Sequence, residues 1–213
     1  MDNMKEEITI DPEKQRIITL VKEIFFKEGF YKTSMDSLAT RLQISKKTFY
    51  KYWPSKDELV RETIRSHMAF LSKEMQTTIT KDTDAFDKLL SILEVLGHTL
   101  IKFGDKWLND LHTQMPKLWK EIDDFRTKKM LSLLNNLLGQ GQKEGLISQD
   151  VPKEIIITVM ISAIRAIVNP DFLYHNKFSY IEAVHMTFDV FFRGILTTPG
   201  RKKFQSPYIR NIK

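Results

Sequence analysis

The densest group of side chains able to bind a polyanion lies between Lys46 and Tyr52, where lysine, threonine and tyrosine residues follow one another. Phe49 and Trp53 are four residues apart, so they would share one face of a helix and anchor it to a core. The opposite side would then present to a DNA major groove the residues Lys47, Thr48 and Lys51. Cations, hydroxyls and helix N-termini around them suit phosphate oxygens, and the candidates are Thr33, Ser34, Ser45, Lys46, Tyr50, Tyr52 and Lys56.

The charge distribution points to the same segment. The whole chain carries a formal charge of +6, with a pI of about 9.3. Six basic residues and a single acid, Asp36, lie between Lys32 and Lys56, and five basic residues without an acid follow Pro199. A basic island in an otherwise slightly acidic chain indicates a polyanion site. A solvated charged face would have the same composition, so charge alone does not decide between the two.

The elements that must position these residues are helices, since no strand alternation bounded by turns is present. Capping residues predict the starts of four helices at Asp11–Pro12, at Thr33 or Ser34, at Ser45 and at Ser55. Gly29 suits the residue after the first helix, and Glu58 completes a capping box with Ser55. The two short helices in the middle, separated by a few residues, have the spacing of a helix-turn-helix.

The ordered string from Thr33 to Leu59, with ISKKTFYKYWPSKDEL at its end, resembles the N-terminal signature of the TetR family of bacterial repressors. The match begins near Ile17. The resemblance implies an all-α fold of about nine helices, with a three-helix DNA-binding domain at 1–58 whose helix-turn-helix spans about 34–53. A larger ligand-binding and dimerisation domain would occupy 59–198, and a basic tail 199–213. It further implies a ligand-responsive repressor that binds double-stranded, partly palindromic DNA as a homodimer.

Two positions depart from the common pattern of that family. Gln43 stands in the turn where glycine is frequent, and we expect it to adopt a left-handed conformation that costs roughly 1–2 kcal/mol. Lys47 stands where glycine is frequent early in the recognition helix. A bare backbone would approach DNA more closely, whereas Lys47 adds a cation at the same place.

Hydrophobic periodicity predicts five longer helices in the rest of the chain, at about 85–102, 105–113, 116–143, 152–168 and 179–196. The tail after Pro199 has no periodicity and is expected to be extended. Large side chains concentrate between residues 103 and 125, so an apolar pocket is predicted there, lined by Phe103, Trp107, His112, Met115, Trp119 and Phe125. An ordinary helical core would have the same composition. Any effector would be an unknown small molecule, largely apolar, with no other cofactor.

The apolar run 155–168 and the last predicted helix carry more apolar surface than one stripe requires. We expect them to form a four-helix dimer interface through Ile157, Ile161, Ile164, Val184, Phe188, Phe191, Phe192 and Ile195. The alternative is that both helices complete the core of the monomer. Arg165 interrupts the first of them and is expected at its edge; the alternatives are that it pairs across the interface or contacts an acidic ligand.

Several other classes of protein fit less well. The chain has no cysteine, its first residues lack the apolar core of a signal peptide, and 155–168 is too short to span a bilayer, so a cytoplasmic protein without membrane contact is expected. The five histidines show no metal-ligand spacing, and neither a phosphate loop nor a nucleophile elbow is present, so neither a metal site nor an enzyme is expected. A helical adaptor or membrane-surface protein that uses the basic tail is the remaining alternative.

Overall fold

The computed structural model describes residues 11–102 and 105–204, and the described part is all-α, as predicted. It contains eleven helices rather than about nine. They are α1 (Pro12–Glu28), α2 (Met35–Arg41), α3 (Lys46–Tyr52), α4 (Lys56–Ile79), α5 (Ala85–Lys102), α6 (Asp105–Gln114), α7 (Pro116–Lys143), α8 (Lys153–Ile167), α9 (Pro170–Asn176), α10 (Tyr180–Ile195) and α11 (Thr198–Phe204). The two short helices α9 and α11 account for the difference.

The predicted caps hold the N-terminal helices in place. A carboxylate oxygen of Asp11 accepts from the backbone N–H of Glu13 at 2.9 Å, at the start of α1. The Ser45 hydroxyl accepts from the N–H of Thr48 at 3.0 Å and begins α3. Each cap satisfies an amide that has no partner within its own helix, which fixes the residue at which the helix starts.

Two hydrophobic cores organise the molecule. The first lies among α1–α4 but also takes in residues of α6 and the start of α7, and the second lies among α5, α7, α8 and α10. Trp107 of α6 is the link, because its ring lies 5.0–5.9 Å from the rings of Phe25, Phe26 and Phe30. The core of the N-terminal helices is therefore closed by a helix from the larger part of the chain.

The expected extended tail is wrong for residues 199–204, which belong to α11. The Thr197 hydroxyl accepts from the N–H of Gly200 at 3.2 Å, which supports the first turn. At the other end, Phe204 packs against Phe86 and Phe192 of the second core, and Lys203 forms an ion pair with Asp84. The remainder of the predicted tail, 205–213, lies outside the described residues.

Among the described residues no single helix is long and apolar enough to cross a membrane; α8 and α9 reach that length and hydropathy only as a pair bent by 64°.

Candidate nucleic-acid interface and internal cavity

The turn between α2 and α3 has the predicted geometry. Gln43 has a φ of 55°, so this non-glycine residue adopts the left-handed conformation that the sequence indicated. The N–H of Ile44 donates to the carbonyl of Ala39 at 2.9 Å and closes the turn. Phe49 and Trp53 are 0% and 1% exposed, and Trp53 Nε1 donates to Glu62 of α4 at 2.8 Å. One side of α3 is thus fixed to the first core.

The opposite side of α3 presents Lys47 and Lys51 to solvent. Within residues 11–102 and 105–204 no carboxylate lies within ion-pair distance of either ammonium group, so both are available to an anion from outside. Thr48, the third residue predicted to face bases, is only half exposed. Its hydroxyl lies 2.8 Å from the hydroxyl of Ser45 and is therefore hydrogen-bonded within the cap of α3.

Lys46 and Tyr50 share an acid of their own chain. Lys46 forms an ion pair with one oxygen of Asp36 on α2, and the Tyr50 hydroxyl donates to the other at 3.3 Å. The hydrogen bond from Lys46 lowers the pKa of Asp36, and the same bond raises the pKa of Lys46. Because these groups are exposed, water and salt screen the pair, and a phosphate can replace the carboxylate.

Tyr52 is tied to the start of α1. Its hydroxyl lies 2.6 Å from a carboxylate oxygen of Asp11 and 2.9 Å from one of Glu13. The hydrogen bond to Asp11 raises the pKa of Tyr52 far above its ordinary value, so the hydroxyl keeps its proton. To serve as a phosphate ligand, Tyr52 would have to leave these carboxylates.

Lys56 has a structural contact that the sequence did not reveal. It is half-buried, its Nζ donates to the carbonyl of Tyr31 at 2.7 Å, and burial lowers its pKa. The other phosphate candidates use their hydroxyls locally, since those of Ser34 and Ser45 accept from helix N-termini and that of Thr33 donates to Gly29.

The predicted basic island is therefore smaller than its composition suggests. Arg41 makes two hydrogen bonds of 2.8 Å to Glu28 of α1, in addition to the contacts of Lys46 and Lys56. In the described part of the chain, the members of the island that have neither a carboxylate nor a backbone carbonyl as a partner are Lys32, Lys47 and Lys51.

An internal cavity of about 210 Å³ lies in the larger part of the chain, mainly among α4, α5, α6 and α7. Trp107, Trp119 and Phe125 line it, as predicted. Two other predicted residues are not part of the lining of this cavity: Met115 is buried in the first core, and His112 packs edge-on against Trp119. Phe103 lies outside the described residues.

The cavity has a polar corner that sequence reasoning did not find. Asp123 accepts from Arg126 at 2.6 Å through one oxygen and from Arg165 at 2.7 Å through the other. Arg126 also donates to the hydroxyl of Tyr180, the first residue of α10, at 3.3 Å. Arg165 is half exposed at the edge of α8, as predicted, but its partner comes from α7.

Most of the residues predicted to form a dimer interface are buried inside the monomer. The side chains already enclosed in the core of the monomer are Ile157, Ile161, Ile164, Val184 and Phe192. Phe188 lines the cavity, while Phe191 and Ile195 are partly buried against the same core. The apolar side chains left in solvent belong to another face of the same helices: on α8, Ile155 (55% exposed) and Val159 (53%); on α10, Met186 (52%) and Val190 (74%).

Comparisons with known proteins agree with this arrangement. A model of the bacterial regulatory proteins of the tetR family matches residues 17–63, which hold most of α1, all of α2 and α3, and the first turns of α4. The HTH-type transcriptional regulator YvaF of Bacillus subtilis is 26% identical over 185 residues, which cover 85% of this chain and 94% of YvaF.

Solved structures share the fold over nearly the whole length. A TetR-family transcriptional regulator from Marinobacter aquaeolei superposes with a TM-score of 0.71 at 16% identity, covering 94% of this chain and 98% of that one. A transcriptional regulator from Saccharomonospora viridis, solved in complex with choline, gives 0.66 at 17% identity, covering 87% and 98%. Residues 17–63 are thus similar to the bacterial regulatory proteins of the tetR family, and α2 and α3 are the helix-turn-helix of a DNA-binding transcription regulator.

Proposed function

We propose that this regulator is a repressor that binds a palindromic operator as a two-fold dimer and leaves it when a small, largely apolar molecule fills the cavity. One observation carries the proposal: the cavity wall includes Phe26, Ile64 and Trp107, which also belong to the core of the DNA-binding helices. A ligand at this wall would therefore touch the packing that positions α3. The choline bound to the Saccharomonospora regulator supports a ligand role for this fold.

A second contact joins the same two parts of the chain. One carboxylate oxygen of Asp110 on α6 accepts from the N–H of Phe30 at 2.7 Å and from that of Tyr31 at 2.8 Å. These amides lie in the connection between α1 and α2. A movement of α6 would therefore be passed to the connection that leads into the helix-turn-helix.

The exposed apolar face of α8 and α10 supports the dimer. Ile155 and Val159 are one turn apart on α8, Met186 and Val190 are one turn apart on α10, and the two helices pack side by side. Exposed apolar side chains on two neighbouring helices indicate an association surface, and a two-fold axis would bury them against a second copy of the chain. The two α3 helices would then enter successive major grooves, about 34–36 Å apart.

Selection of genomic DNA fragments by the purified protein, followed by gel shift with the retained sequence, tests the proposal. We expect a palindromic sequence and an affinity that falls steeply with salt, since several phosphates are neutralised. The Lys47→Ala variant should bind the selected DNA more weakly, and Lys73→Ala, an exposed lysine of α4 far from α3, should not. Binding that does not respond to salt, or no retained sequence, would refute the proposal.

A further inference from the structure

The charged side chains that line the cavity are gathered at one place in its wall. Most of the lining is leucine, isoleucine, methionine and aromatic residues. Among the described residues that line it, the charged ones are Asp123, Arg126 and Lys129, all on α7. An apolar chamber with charge gathered on one helix fits a molecule that has an apolar body and one charged end.

The contacts of Asp123 indicate whether the charged end of such a molecule would be an anion or a cation. Both of its oxygens are already occupied, one by Arg126 and the other by Arg165. Two guanidinium groups thus share one carboxylate, which leaves a net positive charge at this corner. An incoming cation would meet two guanidinium groups already paired with Asp123, whereas an anion would neutralise the excess positive charge.

Hydrogen-bond donors for an anion are also available at the polar corner of the cavity. A guanidinium has five N–H donors, and Arg126 uses two of them in the contacts to Asp123 and Tyr180. Because the Tyr180 oxygen accepts from Arg126, its own proton can be donated elsewhere. Lys129 is exposed to solvent while it lines the cavity, so it lies at an opening, with its Nζ 5.7 Å from the ring centre of Phe125.

We propose that the cavity binds an amphipathic anion, whose carboxylate-type head is held by Arg126, Tyr180 and Lys129 and whose apolar body lies among the leucine, methionine and aromatic side chains. The role of this molecule as effector rests on the proposed function. The cavity volume of about 210 Å³ is many times the roughly 10–15 Å³ that one water needs, so the chamber has room for a small organic molecule.

Direct binding of sodium tetradecanoate, below its micellar concentration, tests the class of ligand. Two chain-matched probes serve for comparison: neutral tetradecan-1-ol and cationic tetradecyltrimethylammonium. Tryptophan fluorescence reports binding, because Trp107 and Trp119 both line the cavity. We expect tetradecanoate to bind at least tenfold more tightly than either comparison probe, since charge-assisted hydrogen bonds are stronger than neutral ones.

Variants locate the head of the bound anion. Arg126→Met should weaken tetradecanoate binding about tenfold or more, because it removes charge-assisted hydrogen bonds in a partly buried site. Lys129→Met breaks no ion pair of the described structure, so it tests the same point without risk to the fold; its more exposed charge should give a two- to fivefold loss. Lys128→Met, the neighbouring exposed lysine outside the lining, should change nothing. None of these three Met variants should weaken the binding of tetradecan-1-ol.

Equal binding of the alcohol, preference for the cation, or no binding of tetradecanoate would overturn the proposed ligand class. These measurements need no DNA, so they are independent of the proposed function. Tetradecanoate that binds as expected but does not release the selected DNA would instead contradict the effector role and leave the anion site standing.

Discussion

The contact of Asp110 with the connection between α1 and α2 gives the sharpest prediction about stability. In the Asp110→Ala variant, the N–H groups of Phe30 and Tyr31 lose the acceptor that they share. Phe30 is buried, at 3% exposure, so its amide has little access to water, whereas Tyr31 is exposed and water can replace the carboxylate there. The two lost bonds therefore differ in cost.

The magnitude follows from this difference. A buried donor left without a partner costs about 1–3 kcal/mol, and the exposed donor loses only the net value of its bond, about 1 kcal/mol. The expected loss in free energy of unfolding is therefore about 2–4 kcal/mol, which for a chain of this length lowers the melting temperature by about 4–16 °C. Asp110→Asn keeps an uncharged oxygen at the same place and should cost less than half as much.

Thermal unfolding at one fixed protein concentration measures the effect. Asp124→Ala, which removes an exposed carboxylate of α7, is the matched control and should stay near the wild type. Hydrogen exchange should also show faster exchange at the amides of Phe30 and Tyr31 in Asp110→Ala. If Asp110→Ala were no less stable than Asp124→Ala, the carboxylate would not be holding this connection, and the reasoning would be wrong.

Four further substitutions test other parts of the structure. Gln43→Gly relieves the left-handed strain but adds chain entropy, so the melting temperature should stay equal or rise slightly; a clear fall would contradict the turn geometry. Lys47→Ala should relax sequence preference in competition gel shifts, whereas Lys56→Ala removes the hydrogen bond to the Tyr31 carbonyl and should weaken all sequences alike by loosening the connection between α1 and α2. Val190→Glu should give monomers in analytical ultracentrifugation and lose affinity for DNA, unlike Leu131→Glu, which alters an exposed position of α7; a dimeric Val190→Glu would refute the proposed interface.

Helix starts could be predicted wherever a capping residue precedes a long apolar stripe. Ser179 at the start of α10 is an example, since its hydroxyl accepts from the N–H of Glu182 while Glu182 accepts from the N–H of Ser179. The same kind of signal was present at Asn169–Pro170, where the Asn169 side chain accepts from Phe172 at the start of α9. It was missed because seven residues are too few to show a helical periodicity.

The DNA-binding side of α3 could be predicted because it depends on residues that are neighbours along the chain. The carboxylates that pair with the basic and tyrosine side chains around it could not be predicted. Arg41 pairs with Glu28, and Tyr52 contacts Asp11, across gaps of 13 and 41 residues. Such contacts depend on how α1 packs against α2 and α3, which composition and periodicity do not contain. The polar corner of the cavity is unpredictable for the same reason, because Asp123 meets Arg165 only after α7 and α8 have packed.

Five of the predicted dimer residues are buried in the monomer because a sequence pattern does not show which apolar stripe of a helix the monomer itself covers. In α8 the covered stripe includes Ile157, Ile161 and Ile164. The second stripe, at Ile155 and Val159, stays exposed and is the one assigned to the proposed dimer.

The same packing explains why a ligand in the cavity would act on DNA binding rather than on the body alone. Trp107 lines the cavity and also packs against Phe25, Phe26 and Phe30 of the first core. Asp110 follows it by three residues on the same helix, so both move when α6 moves. Closely packed interiors have little free space to absorb such a shift. We therefore expect an occupied cavity to reposition α6, and with it the connection between α1 and α2, before it affects the exposed face of α8 and α10.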